Sequence, residues 1–165
     1  MLSKKLIAAL NKQINAEFYA ANLYLQMSAW CQFKGLPGCA AFMSKQSAEE
    51  MQHMRRLFNY VNETGALAEL GEITEPPTSF KSAQEIFEQT FEHELEVTQS
   101  IFKLVDIALA EKDHSTFNFL QSYVAEQHEE ESLFRTILDR FKLIGPDGPG
   151  LFFIDREIGE LAKAG

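Results

Sequence analysis

The chain has 165 residues, 24 of them acidic and 15 basic, for a formal net charge of −9 at pH 7. That length buries roughly 70% of the surface exposed by the unfolded chain, so a core forms without a disulfide framework. With 45% hydrophobic and 24% charged residues the chain is not a disordered one. Its negative balance disfavours nucleic acid and anionic membranes and favours cations.

The composition fits a single domain over residues 1–165. No apolar run approaches the ~20 residues of a membrane span. The N-terminal apolar stretch, Leu6 to Leu10, is too short for a signal peptide and is read as the start of a helix in a cytoplasmic protein. Cys31 and Cys39 lack metal-type spacing and read as small apolar filler.

Gly and Pro divide the chain at 35–38, at Gly65, at Gly71 with Pro76 and Pro77, and over 145–150. Four long segments between them, about 3–34, 39–64, 78–112 and 113–144, repeat apolar residues at three- and four-residue steps, which predicts helices. Asp113 before His114, Ser115 and Thr116 predicts a side-chain cap starting the fourth. After Gly150 a short helix over about 151–163 carries Leu151, Ile154, Ile158 and Leu161 on one face.

The first and third connections are short, so each joins antiparallel neighbours. The second, near 65–79, can reach about 50 Å when extended, and a 30-residue helix is about 45 Å long. It is long enough to cross the whole bundle and leave the second and third helices parallel. The expected fold is all-α: a four-helix bundle over about 3–144 with a long crossover, plus a short C-terminal helix.

The inward stripes run Ile7, Leu10, Ile14, Glu17, Ala21, Tyr24 in the first helix and Cys39, Met43, Gln46, Glu50, His53, Leu57, Val61 in the second. They continue as Phe87, Phe91, Glu94, Val97, Ile101, Val105, Ala108 in the third and Leu120, Val124, Gln127, Glu130, Phe134, Ile137, Phe141 in the fourth. Each is interrupted by a carboxylate near the midpoint of its helix. Midpoints coincide in a bundle whichever way each helix runs, so Glu17, Glu50, Glu94, Glu130 and His53 should converge. Buried carboxylates without partners are costly. Four of them balance two divalent cations, and an oxygen-rich set with one imidazole suits iron or manganese. Glu50 and His53, three residues apart, present both groups on one face.

This plan is that of the di-iron carboxylate bundles. The chain resembles the bacterial non-haem ferritins over nearly its whole length, most specifically at Asn15-Ala-Glu17-Phe-Tyr-Ala-Ala-Asn-Leu-Tyr24, Glu49-Glu50-Met-Gln-His53-Met, Phe117-Asn-Phe-Leu-Gln, Glu126-Gln127-His128-Glu129-Glu130 and Gly150-Leu-Phe-Phe-Ile-Asp155. The resemblance implies a ferroxidase that oxidises Fe2+ with O2 or hydrogen peroxide and stores Fe3+ as a mineral inside a homo-oligomeric cage of 24 subunits. It implies one iron held by Glu17, Glu50 and His53, and a second held by Glu94 and Glu130 with Glu50 as the bridge. Gln127 becomes a hydrogen-bonding neighbour. A third iron falls to Glu49, Glu126, Glu129 and Glu130. Tyr24 is either a redox-active phenol beside the irons or a core tyrosine with a satisfied hydroxyl. The C-terminal helix is placed around a symmetry axis, where copies from several subunits bury one another's apolar faces.

The fourth helix carries Gln127-x-x-Glu130 in place of a second Glu-x-x-His, a departure that argues against bacterioferritin and a symmetric oxidase centre. No haem is expected, and Met51 reads as packing. His93, His114 and His128 fall off the inward stripes and read as surface residues. A rubrerythrin-like peroxide-consuming protein would need an electron-transfer module, which this sequence lacks. A purely structural bundle would have an apolar core, and mini-ferritins lack the fifth helix.

Overall fold

The computed structural model describes residues 1–145 and 147–164. It contains α1 (Lys4–Phe33), α2 (Pro37–Glu63), α3 (Ala83–Ala110), α4 (His114–Ile144) and α5 (Pro149–Lys163), with no strand among the described residues. Among the described residues no helix is long and apolar enough to cross a membrane.

Local chemistry sets the helix ends. The Ser3 and Ser82 hydroxyls accept from the Leu6 and Glu85 amides, capping α1 and α3, and Asp113 accepts from Thr116 N at 3.0 Å, capping α4. α1 ends with Gly35 at φ +76°, which lets Leu36 N reach back to Cys31 O at 2.9 Å and Gly35 N to Gln32 O at 3.1 Å. Gly65 closes α2 in the same way, a termination that needs the left-handed backbone glycine adopts freely.

The 64–82 connection climbs α1 from one end to the other. Asn11 Nδ2 donates to Leu67 O and Asn15 Nδ2 to Glu69 O. Asn15 Oδ1 accepts from Gly71 N, and Phe80 meets Trp30 edge-on at 5.9 Å between ring centroids. The crossover therefore spans the bundle, and α2 and α3 run parallel, as the loop length predicts.

α5 departs from expectation. Its apolar face does not wait for other subunits. Ile154 and Ile158 are buried in the chain's own core, with Leu151 and Leu161 packed beside them. Leu36, at the N-cap of α2, offers the helix no side-chain cap. Asp155 supplies one from α5, its two oxygens accepting from Gly38 N at 3.1 Å and Cys39 N at 2.8 Å. Gly38 and Gly159 let the two backbones touch: a Cβ on Gly38 would lie 1.8 Å from Asp155 O. Gly38, read from sequence as loop punctuation, is thus a helix-contact residue. Phe152 and Phe153 remain exposed.

The core is in two pieces. One apolar cluster gathers Tyr24, Met27, Met43, Phe42, Phe87, Phe134 and Phe141 at the α5 end. The other gathers Leu6, Leu10, Ile14, Leu57, Ile101, Leu104 and Leu120 at the far end. Between them lies a belt of buried polar residues: Gln13, Glu17, Gln46, Glu50, Glu94, Thr98 and Gln127.

Candidate metal centre

Glu17 enters the belt from α1, Glu50 and His53 from α2, Glu94 from α3, and Gln127 and Glu130 from α4. Glu17, Glu50 and His53 offer donor atoms that all lie within 4.8 Å of one another. Glu17, Glu50 and Glu94 are each 2% exposed or less.

Neutral donors hold these carboxylates from behind. Gln13 Nε2 donates to Glu17 Oε1 at 2.7 Å, and its own Oε1 accepts from Ser100 Oγ, which fixes the amide. Gln127 Nε2 donates to Glu94 Oε2 at 3.0 Å, and Gln46 Nε2 to Glu130 Oε2 at 2.8 Å. The Tyr24 hydroxyl donates to Glu94 Oε1 and lies 3.0 Å from His93 Nδ1. Glu17 Oε2 alone has no partner; it is the single buried, unsatisfied side-chain polar atom among the described residues. A buried acceptor left bare beside Glu50 and His53 is a position that a cation could fill.

The carboxyls carry the electrostatic cost. Burial, aided by the Glu50 charge, pushes Glu17 well above the ordinary range. Burial and the Glu94 charge push Glu50 up to about 8, and burial with Glu94 and Glu49 pushes Glu130 up to about 7. Burial, reinforced by Glu94, raises the Tyr24 phenol. The belt holds protons unless cations replace them.

Glu49, Gln52, His53, Arg56, Glu126, Glu129 and Glu130 line a polar cavity of about 250 Å³ beside the belt. The structure therefore brings Glu49, Glu126 and Glu129 to one place, with Glu130 and His53 shared between belt and cavity. Glu126 is not free there. Its Oε2 lies 3.0 Å from His53 Nε2, and Arg56 Nη1 donates to both its oxygens at 2.8 and 3.1 Å.

His93 corrects the sequence reading. It is half-buried against Tyr24 and Tyr19 rather than a surface residue, and burial lowers its pKa. His114 and His128 are exposed as expected. The inward stripes also omitted Gln13, Tyr123 and Arg56. Gln13 sits four residues before Glu17, one turn away on the same face, and that spacing is the signal that could have revealed it. Nothing in the α2 pattern marks Arg56, because its partners lie on α4.

A bundle with a full-length crossover and a carboxylate–imidazole belt at its waist defines a ferritin-like protein class, and the comparisons agree. The Ferritin family, described as a ferritin-like domain, matches residues 7–144. The chain is 54% identical over 162 residues to a probable bacterial non-haem ferritin-like protein of Haemophilus influenzae, covering 98% of both. It is 52% identical over 162 residues to a bacterial non-haem ferritin of Campylobacter jejuni, covering 98% of this chain and 97% of that one. An open-pore ferritin from the hyperthermophilic archaeon Archaeoglobus fulgidus superposes with a TM-score of 0.93 at 44% identity, covering 96% of each chain. The Chlorobium tepidum ferritin does so at 0.86 and 51% identity, covering 96% of this chain and 97% of that one. The chain belongs to the ferritin family, and within it to the bacterial non-haem ferritins.

Proposed function

We propose that this chain is an iron-storage ferritin subunit that oxidises Fe2+ at its waist and passes Fe3+ to a mineral held inside a homo-oligomeric cage of 24 subunits. The observation that carries the reading is the bare Glu17 Oε2 beside Glu50 and His53. Glu17, Glu50 and His53 hold one Fe2+. Glu94 and Glu130 hold the second, and Glu50 bridges the two. Iron is the substrate here: each Fe2+ gives up one electron, and O2 or hydrogen peroxide accepts the pair.

This chain's residues supply orientation, charge balance and dryness. Gln13 and Gln46 each engage one oxygen of Glu17 and Glu130 through an amide N–H, which leaves the other oxygen of each to face iron, while Gln127 and Tyr24 between them hold both oxygens of Glu94. Protons held by the belt carboxyls leave as Fe2+ enters, so binding tightens as pH rises. The apolar clusters above and below exclude water. Tyr24 holds Glu94 through its hydroxyl, a contact available both to a redox-active phenol and to a purely positioning one. Glu49, Glu126 and Glu129 serve a third, outer iron with Glu130. Phe152 and Phe153, exposed on α5, are the apolar surface that segment retains for neighbouring subunits, and residues 1–165 act as one domain. The unlike donors of the two inner positions suit iron passing through, with no haem, in a cytoplasmic store.

Aerobic Fe2+ titration of the purified protein, with mass measured by sedimentation before and after, tests the whole reading. Rapid oxidation saturating at two or three irons per subunit, followed by slower mineral growth in a large assembly, is expected. A full-length protein sedimenting as a monomer or dimer would remove the container, and slow, unsaturable oxidation would remove the centre.

A further inference from the structure

Arg56 is the one cationic side chain lining the outer cavity, where Glu49, Glu126, Glu129 and Glu130 supply four carboxylates. Its place is fixed on several sides. The guanidinium donates twice to Glu126 and once to Ser122 Oγ, and it lies 4.4 Å from the centre of the Tyr123 ring. Tyr123 is buried, and its hydroxyl donates to the His53 carbonyl at 2.8 Å. The base under the guanidinium is therefore tied to the same turn of α2 that carries His53. Exposed ion pairs usually hold little geometry; a guanidinium that rests on a buried aromatic ring, with one arm on Glu126 and the other on Ser122, does.

The clamp has a consequence for His53. Glu126 Oε2 sits 3.0 Å from His53 Nε2, and a carboxylate accepts hydrogen bonds. The Nε2 position therefore carries the proton in the neutral imidazole, and the lone pair is left on Nδ1. Nδ1 is the nitrogen facing the belt, 3.4 Å from Glu50 Oε2. A carboxylate on the far nitrogen is the usual device that sets the tautomer and ring orientation of a metal-binding histidine.

Resting on the iron-binding reading above, we infer that Arg56 is a positioning residue that acts through Glu126 to present His53 Nδ1 to the inner metal. The same clamp sets a competition. Glu126 cannot turn fully to a cation in the outer cavity while it bridges Arg56 and His53. Ion binding in the outer cavity and histidine orientation at the inner site therefore oppose each other, and Arg56 sets the balance.

The test is anaerobic Co2+ titration of the assembled, metal-free protein, followed by calorimetry and by the visible absorption of the bound ion, which responds to imidazole ligation. Arg56→Gln should weaken the histidine-ligated site by about 10- to 100-fold, the range typical of lost carboxylate–histidine support. It should also tighten the outer ion by about tenfold, because a fixed positive charge has left the cavity. Arg56→Lys, which keeps the charge without the second arm to Ser122 or the planar group over Tyr123, should fall between. Glu126→Ala should match Arg56→Gln at the inner site but lose the outer ion. Simple structural damage predicts instead that both sites weaken together in Arg56→Gln, and that result would overturn the inference, as would an unchanged histidine-ligated site. Failure of the unaltered protein to bind Co2+ would instead remove the metal reading on which the inference stands.

Discussion

The waist and the two apolar clusters flanking it are equally buried and built from the same four helices, yet they contribute in opposite directions. Around Phe134 the aromatic rings of Phe42 and Phe87 stand 5.8 and 6.3 Å away, and every atom there gains by leaving water. Around Glu50 the neighbours are carboxyls that raise one another's pKa. In the metal-free chain the flanks stabilise a bundle that the waist strains. Helix packing therefore places the belt, and a cation bound there would relieve it.

The largest effect that would break this contrast is on chemistry. Glu50→Ala should abolish fast stoichiometric Fe2+ oxidation, since in the proposed centre both inner irons depend on that carboxylate. The melting temperature of the metal-free protein should not fall, because the variant removes a buried carboxyl whose ionisation the neighbouring carboxyls oppose. Normal initial oxidation rates by stopped-flow absorbance would show that waist and chemistry are unconnected. In the flank the reverse is expected. Phe134→Ala empties a fully buried site and should cost about 3–5 kcal/mol by denaturant unfolding, while iron binding per folded subunit persists.

Smaller, and sharper, is the pH dependence. Glu50 rises from 4.5 to about 8 on folding and Glu130 from 4.5 to about 7. Between those limits the folded chain binds more protons than the unfolded one, so stability falls as pH rises. The penalty is absent below about pH 4.5 and complete above about 8. Metal-free protein should therefore melt lower at about pH 8.5 than at about pH 5.5. Glu50→Gln should flatten that slope, and saturating divalent metal should reverse it, since ions replace the protons. A metal-free melting temperature that climbs across this window would contradict the strained waist.

The smallest effect lies at the α5 end. Asp155→Ala removes the cap that α5 lends to α2 and should cost about 1 kcal/mol, with the first turnover of Fe2+ oxidation unchanged. Because Ile154 and Ile158 belong to the chain's own core, truncation after Gly150 should lower the melting temperature more than Asp155→Ala does. Circular dichroism melts of the two variants give the comparison.

Much of this was legible along single helices. Repeats of three and four residues fix which face of a helix turns inward, and counting from its ends fixes the height of Glu17, Glu50, Glu94 and Glu130. Those two coordinates sufficed to predict a polar waist before any contact was known. The span of the 64–82 connection followed in the same way, from residue count and helix rise. Gln13 was recoverable by the same logic, one turn from Glu17.

What the sequence could not determine is which side chain on one helix meets which on another. The placement of His93 against Tyr24, of Glu126 between Arg56 and His53, and of Asp155 on the first turn of α2 each depends on how the helices are rotated and spaced within the bundle. Spacing along one helix carries no record of its neighbour's rotation. α5 shows this most plainly: its stripe of Ile154 and Ile158 predicted that something apolar would cover it. Only the close approach of Gly38 to Gly159 decided that the cover is its own bundle, because two backbones can meet there with no side chain between them.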